Sequence, residues 1–387
     1  MRRSTLSFDR RSILFAGALA VSPVAALGAC DSDEDPCANP KPGILCTVVG
    51  TGVAGLTADG LPALETELYL PQDTGVGPDG LLYVVDWNNH RIRVVKDGMV
   101  DTLVGTGYLG DAQNGKALTV NLNHPTHITF LNDGDLIISA WHNSKVLRYD
   151  KDTDEVTSIC GTGARNFNGD GKPALETFLD LPTATGLLPD GRLLISDQAN
   201  QRIRIIEADG TVGTVAGTGE KGYSGDGGPA LEAKLQLPTS QSAPPAGRIT
   251  VSPIGEIFLA DTLNHVVRKI DTAGIITTVA GIGSAGNGTS AVGKECALNM
   301  PSDLALDNDG NLYIADTSNS CIRKLTPAGA ISTAAGQCGK RGFEGDGGKP
   351  EEALLDRPYG VDIGPDGTMY VSDTHNHVIR AVKAAKN

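Results

Sequence analysis

Apolar and polar positions alternate along most of this chain in short runs, and the runs recur in one arrangement. In Leu82 to Val95, L-Y-V-V-D-W-N-N-H-R-I-R-V-V, an alternating run ends at Asp86 and a second begins about five residues later. Five more copies end their first run at Ala140, Asp197, Asp261, Asp316 and Asp373. Period-two alternation bounded by polar residues predicts two strands and a tight turn. The turns read W-N-N-H, W-H-N-S, Q-A-N-Q, T-L-N-H, T-S-N-S and T-H-N-H, with Asn third in each.

The copies lie about 54 to 64 residues apart, and a repeat of that length decides the fold. Each unit holds four strand candidates. In the first complete unit a strand follows Pro71, a Pro78-Asp79-Gly80 turn leads to the strand ending at Asp86, and Arg91 to Val95 is the third strand. The fourth, Val100 to Val104, follows an Asp97-Gly98 turn and ends in Gly105-Thr106-Gly107. Four antiparallel strands per unit and no long helix predict an all-β, six-bladed β-propeller. The last unit stops after Val378 to Val382, one strand short, whereas Gly43 to Gly50 reads as an isolated fourth strand. Placing that N-terminal strand on the last blade completes the ring and leaves no open sheet edge.

Loops reading G-D-G-K-P-A-L-E from Gly169 and G-D-G-G-P-A-L-E from Gly225 join the units, with looser copies at Asp59 and Gly345. Asp-Gly suits a turn and the following Pro the first turn of a short helix. These loops carry too few carboxylates for a closed calcium shell. The pattern Y-V-x-D-x-x-N-H-x-I-R, preceded by Pro and Asp-Gly and followed by T-V-A-G-T-G, resembles NHL repeats over residues 43–387. That resemblance implies a propeller whose relatives serve in protein and RNA binding, peptide amidation and extracellular scaffolding. Streptogramin lyases and sugar lactonases have comparable propellers, and no motif here selects either.

Arg10 and Arg11 precede an apolar run from Ile13 to Leu27, broken by Pro23. The run is too short and too flanked by charge for a membrane span, and residues 1–29 have signal-peptide form. Leu27-Gly28-Ala29-Cys30 resembles a bacterial lipobox, which implies lipidation of Cys30, and the paired Arg resembles a twin-arginine signal. The expected product is an exported lipoprotein on the periplasmic side of the cell envelope, with residues 30–42 as an acidic tether and 43–387 as the propeller. The net charge is -14, and loss of residues 1–29, which hold four Arg and Asp9, takes it to -17. A chain that acidic disfavours nucleic acid and anionic lipid, so any membrane contact is expected through the lipid alone. A closed ring also predicts a monomer.

Beyond Cys30 the even count of six Cys permits disulfides. Cys321 opens one strand and Cys338 follows the next, so antiparallel pairing predicts a bond between them. Cys37 with Cys46 is a purely local pairing, and Cys160 and Cys296 have no assignment.

Five of the six repeat units carry Asp and, seven residues on, Arg: Asp86 and Arg93, Asp197 and Arg204, Asp261 and Arg268, Asp316 and Arg323, Asp373 and Arg380. The second unit has Ala140 and Leu147 instead. Joint loss is what a structural ion pair between neighbouring strands requires, because losing one partner strands a charge. That same unit gains Trp141 and His142 in its turn, with His124 and His127 around Pro125. Turn and interblade loops emerge on one propeller face, so all four residues are expected to meet there, beside Trp87 of the preceding unit. Two readings fit: each Trp caps its own blade, or the pair forms a binding surface.

The residues two after the Pro that opens each inner strand are Asp73, His127, Ala184, Arg248, Asp303 and Gly360, with Arg248 following an insertion at Thr239 to Ala246. They are expected to ring the channel mouth, where Asp73, His127, Arg248 and Asp303 suit a polar ligand. Two functions therefore stand. One is a lipid-tethered module that holds a protein or glycan through Trp87, Trp141 and the loop face. The other is a lyase or hydrolase in which His124, His127 and His142 hold a divalent metal, zinc or calcium.

Overall fold

Strand pairing in the computed structural model, which describes residues 35–240 and 242–384, follows the repeat closely. The segment expected to be a signal peptide, Cys30 and the start of the expected tether lie outside the described residues. Six antiparallel sheets form the blades of a ring. Their inner strands are Asp73–Val76, Pro125–Phe130, Pro182–Leu187, Ile249–Val251, Pro301–Leu306 and Gly360–Ile363, numbered here as blades 1 to 6. Leu45–Val49 pairs with Val378–Val382 as the outer strand of blade 6, and the Gly43 amide donates to the Lys383 carbonyl at 2.9 Å. Both termini thus close the ring, as the strand count predicts. Among the described residues no helix is long and apolar enough to cross a membrane.

The apolar core is divided into six wedges, one between each pair of neighbouring blades. Strands inside a blade, such as Leu136–Ala140 and Leu193–Asp197, have two faces to bury and hide successive residues, whereas outer strands such as Glu155–Cys160 keep exposed positions. Cys160 and Cys296 are buried free thiols within two of these wedges. Cys321 bonds Cys338, and Cys37 bonds Cys46 in the first strand of the ring.

Outer edges are covered as well. The interblade segments Leu61–Pro62, Gly115–Lys116 and Lys172–Pro173 pair with the outer strands of blades 1, 2 and 3. Single bridges at Pro229 to Ile275, Val292 to Ala330 and Leu45 to Gly348 do the same in blades 4, 5 and 6. The short helix expected after each loop Pro is one 3-10 turn, such as Ala174–Glu176. In each Gly-Thr-Gly-like ending the first Gly has positive φ, and a Cβ there would strike the carbonyl of the turn's last residue, as Gly217 would strike Gln201. Only Gly permits that close approach.

Candidate functional site

The recurring Asp and Arg sit at the centre of each blade's loop face. Arg93, Arg204, Arg268 and Arg380 have fully buried side chains, and Arg323 nearly so; all five lie 3.2 to 3.8 Å from Asp86, Asp197, Asp261, Asp373 and Asp316 respectively. Each guanidinium has a closer partner than the strand Asp in four blades: the Asp of the Asp-Gly loop. Those contacts are Arg93 to Asp59 at 3.0 Å, Arg204 to Asp170 at 2.9 Å, Arg268 to Asp226 at 2.6 Å and Arg380 to Asp346 at 2.6 Å. In blade 5, Asn287 takes that place at 3.1 Å. The unit is therefore a triad, and the loop Asp is the member that reading the loops as plain turns missed.

The turn Asn holds the triad to the loop. Asn264 donates to Asp261 at 2.8 Å and to the Gly222 carbonyl at 2.7 Å, and its counterparts Asn89, Asn200, Asn319 and Asn376 do likewise. Blade 2 lacks the strand Asp but keeps Asn143, whose own oxygen accepts the Asn123 amide at 2.9 Å. That amide's counterparts in the other blades bond the Asp, as the Gln236 amide bonds Asp261.

The first residue of each turn pins its blade to the next. Thr262, Thr317 and Thr374 donate to the carbonyls of Pro301, Pro358 and Pro71 at 2.7 to 2.8 Å. Gln198 reaches Pro238 and, across the insertion, Pro244. Trp87 and Trp141 fill the same position in blades 1 and 2, where they pack instead of donating. Trp141 is 1% exposed and stacks on His142 at 4.0 Å, while half-buried Trp87 lies 4.3 Å from His124. A side chain so enclosed presents no area to a ligand, so Trp141 belongs to the blade-capping reading and not to a binding surface. Trp87 keeps part of its ring exposed.

The metal trio is also divided. His124 and His142 meet, their Nδ1 atoms 2.9 Å apart, and His90 joins them with its ring 4.5 Å from His124. Burial pushes His124 down to about 3, with His90 and His142 adding to the effect, which keeps its imidazole neutral. His127 does not join them. Its ring points into the channel, 4.0 Å from Asp73 and 3.5 Å from the Thr185 amide. Among the described residues no group of three or more His, Cys, Asp or Glu is arranged to hold a metal ion. With their Nδ1 atoms turned to each other and His127 elsewhere, these imidazoles do not converge on a common point.

The channel residues also stand differently from expectation, for they form a floor and not a mouth. Arg248 is fully buried and reaches across from blade 4, its Nη1 at 3.0 Å from Asp303 and 3.4 Å from Asp73. Its Nη2 donates to the carbonyls of Thr126 at 2.6 Å and Gln72 at 2.9 Å. Asp73 also accepts the Ile128 amide and Asp303 the Val361 amide. One guanidinium thus ties blades 1, 2, 4 and 5 together at the loop-face end. The insertion before it is held by Gln198 and Gln201, the latter bonding both backbone groups of Leu237.

From this floor a cavity of 1260 Å³ extends to the Pro253 and Asn308 hairpins. Its walls carry Thr129, Thr185, Thr250, Phe130, Phe258 and Asp362. Asp362 escaped the sequence reading because it lies four residues past its Pro, where the +2 rule selects Gly360. A fixed-charge floor beneath hydroxyl-bearing walls can orient a polar ligand.

Six blades, closed by both termini around a central cavity, define a six-bladed β-propeller. Its repeats are NHL repeats: the model of the NHL repeat matches residues 68–95 and that of the teneurin NHL domain matches 286–383. The chain is an NHL-repeat β-propeller. It is 31% identical over 260 residues to Protein SUPPRESSOR OF QUENCHING 1, chloroplastic, of Arabidopsis thaliana, covering 63% of this chain and 24% of that protein. It is 27% identical over 391 residues to Teneurin-1 of Gallus gallus, covering 89% of this chain and 14% of that one. The chain therefore spans a quarter or less of these relatives' length. An auxiliary nutrient binding protein from Bacteroides thetaiotaomicron VPI-5482 shares the fold, with a TM-score of 0.61 at 18% identity over 87% of this chain and 75% of that chain.

Proposed function

We propose that this protein is an envelope binding module that takes a polar ligand, such as a glycan, in its blind central cavity. The observation that carries this reading is the cavity itself: 1260 Å³ above a floor of buried, mutually fixed charges, with the hydroxyls of Thr129 and Thr250 on its walls. Preset polar groups in a concave site orient a ligand without the entropy cost of ordering them at binding. A thermal-shift screen of the purified protein against mono- and oligosaccharides is expected to find a stabilising ligand. Thr250→Trp, which narrows the cavity, should weaken that ligand at least about tenfold, and Thr129→Val should weaken it less. Unchanged affinity in both variants would overturn the cavity as the site.

The module is further read as exported and tethered through Cys30. Two disulfides support an oxidising compartment, and Leu27-Gly28-Ala29-Cys30 supplies the anchor motif. Cys30→Ala is expected to move the protein from the membrane fraction to the soluble envelope fraction. Persistent membrane association of that variant would rule the lipid anchor out.

A further inference from the structure

The cavity wall one pleat above the floor is uneven in a way that specifies its ligand. Residues two beyond the floor positions are Gly75, Thr129, Gly186, Thr250, Ala305 and Asp362, one from each blade, and all line the cavity. Five are small and uncharged, which leaves the cavity wide at this level. Only Asp362 carries charge.

The cation nearest to it is already committed. Arg248 spends Nη1 on Asp73 and Asp303 and Nη2 on two carbonyls, so one positive charge faces two carboxylates before Asp362 is counted. Toward the mouth, Lys269 is tied to Glu256 at 2.7 Å and Lys324 lies 3.6 Å from Asp307. His127 is held neutral, for burial and then Arg248 push it down to about 3. Carboxylates from three consecutive blades, 5, 6 and 1, therefore form one side of the cavity with a net negative charge. The side made by blades 2, 3 and 4 offers hydroxyl groups, with Thr129 and Thr185 joined at 2.8 Å. A neutral polyol would satisfy the hydroxyl side and leave Asp362, which has backbone amides of Val76 and Ile363 beside it, without a counter-charge, which is costly.

We propose, on the reading that the cavity is the binding site, that its ligand is a small hydroxylated molecule bearing a protonated amine. The ammonium sits on Asp362, and the hydroxyl groups meet Thr129 and Thr250. Burial, and then the charge of Asp73, push Asp362 up to about 7, so its ionised form lacks a counter-charge that an ammonium supplies.

Two matched probe pairs test this on the purified full-length protein: glucosamine against glucose, and tris(hydroxymethyl)aminomethane against pentaerythritol, by calorimetry in phosphate buffer. Each amine is expected to bind about tenfold or more tightly than its neutral partner, as a charge-assisted hydrogen bond gives. Asp362→Asn should abolish the preference while any binding of the neutral probes persists. The wild-type protein gives an independent reading, because the amine preference should shrink as sodium chloride rises from about 0.05 to 0.5 M. Equal affinity within both pairs, or a preference that survives both added salt and Asp362→Asn, overturns the amine while leaving the cavity as a site for neutral ligands. Failure of all four probes overturns the inference and counts against the cavity reading as well.

Discussion

Replacing Arg248 with Met is expected to destabilise the propeller by about 3 to 5 kcal/mol, because it strands buried carboxylates. Asp73 and Asp303 are 4% and 3% exposed, and Arg248 is the cation within 3.4 Å of both. The same substitution empties two carbonyls, of Gln72 and Thr126, that belong to different blades. Burial raises both carboxyls above their ordinary value and Arg248 opposes that rise. Without it they rise further. A carboxyl with a raised folded-state pKa contributes its stability below the unfolded value and loses it as pH climbs through the folded one. The deficit of Arg248→Met relative to the wild type should therefore be full near neutral pH and shrink toward about pH 4. Denaturant titrations at several pH values measure it. Adding Asp303→Asn should recover part of the loss, whereas a pH-independent deficit smaller than about 1 kcal/mol would mean that these charges are not desolvated together.

Arg268→Leu in blade 4 is expected to have an effect of the same size. Its guanidinium is buried 2.6 Å from Asp226 and 3.6 Å from Asp261, and it also donates to the carbonyls of Ser224 and Lys234. The single change strands the fully buried Asp261, at a cost of about 3 to 5 kcal/mol, while the part-exposed Asp226 can turn to water. Blade 2 shows how the chain itself removes the triad: Leu147 replaces the Arg, Ala140 the strand Asp and Asn114 the loop Asp. Asn114 still accepts the Ser158 amide at 2.8 Å, as Asp226 accepts that of Thr278 at 3.1 Å. The triple variant Asp226→Asn, Asp261→Ala, Arg268→Leu copies that solution, with Asn264 able to turn its oxygen to the Gln236 amide as Asn143 does for Asn123. It is expected to regain most of the stability lost in the single variant. A triple variant no more stable than Arg268→Leu would show that blade 2 is held by something other than this exchange.

Local chemistry reached far into the fold. Period-two alternation, the Asn turn and the incomplete last unit were enough for six blades and for closure by residues 45–49, because each blade repeats the same short-range rules. The Cys321 to Cys338 bond was legible for the same reason, since both residues flank one hairpin. The Asp and Arg of each repeat were visible through their joint absence in blade 2. Their loop partner was not, although Asp59, Asp170, Asp226 and Asp346 share one Asp-Gly signature and Asn114-Gly115 stands where Asp and Arg are both missing. Blade 5, where Asn287-Gly288 stands beside an intact Asp316 and Arg323, hides that correlation.

Side-chain direction was the harder matter. His124 and His127 are three residues apart, yet one turns to the loop face and the other into the channel, because Pro125 begins an inner strand between them. Trp141 looked like a surface aromatic in a turn and proved to fill the place where other blades use Thr to pin their neighbour.

By itself, then, the sequence determined how many blades there are, which strand closes the ring and which charges are structural, all being properties of residues close in the chain or of their repetition. Tertiary structure decided where the site is. Arg248 meets Asp73 and Gln72 from 175 and 176 positions away, and Asp362 faces them from the last blade. Closing the ring is what brings these residues together, so no local pattern could reveal that one end of the channel is sealed and the other open.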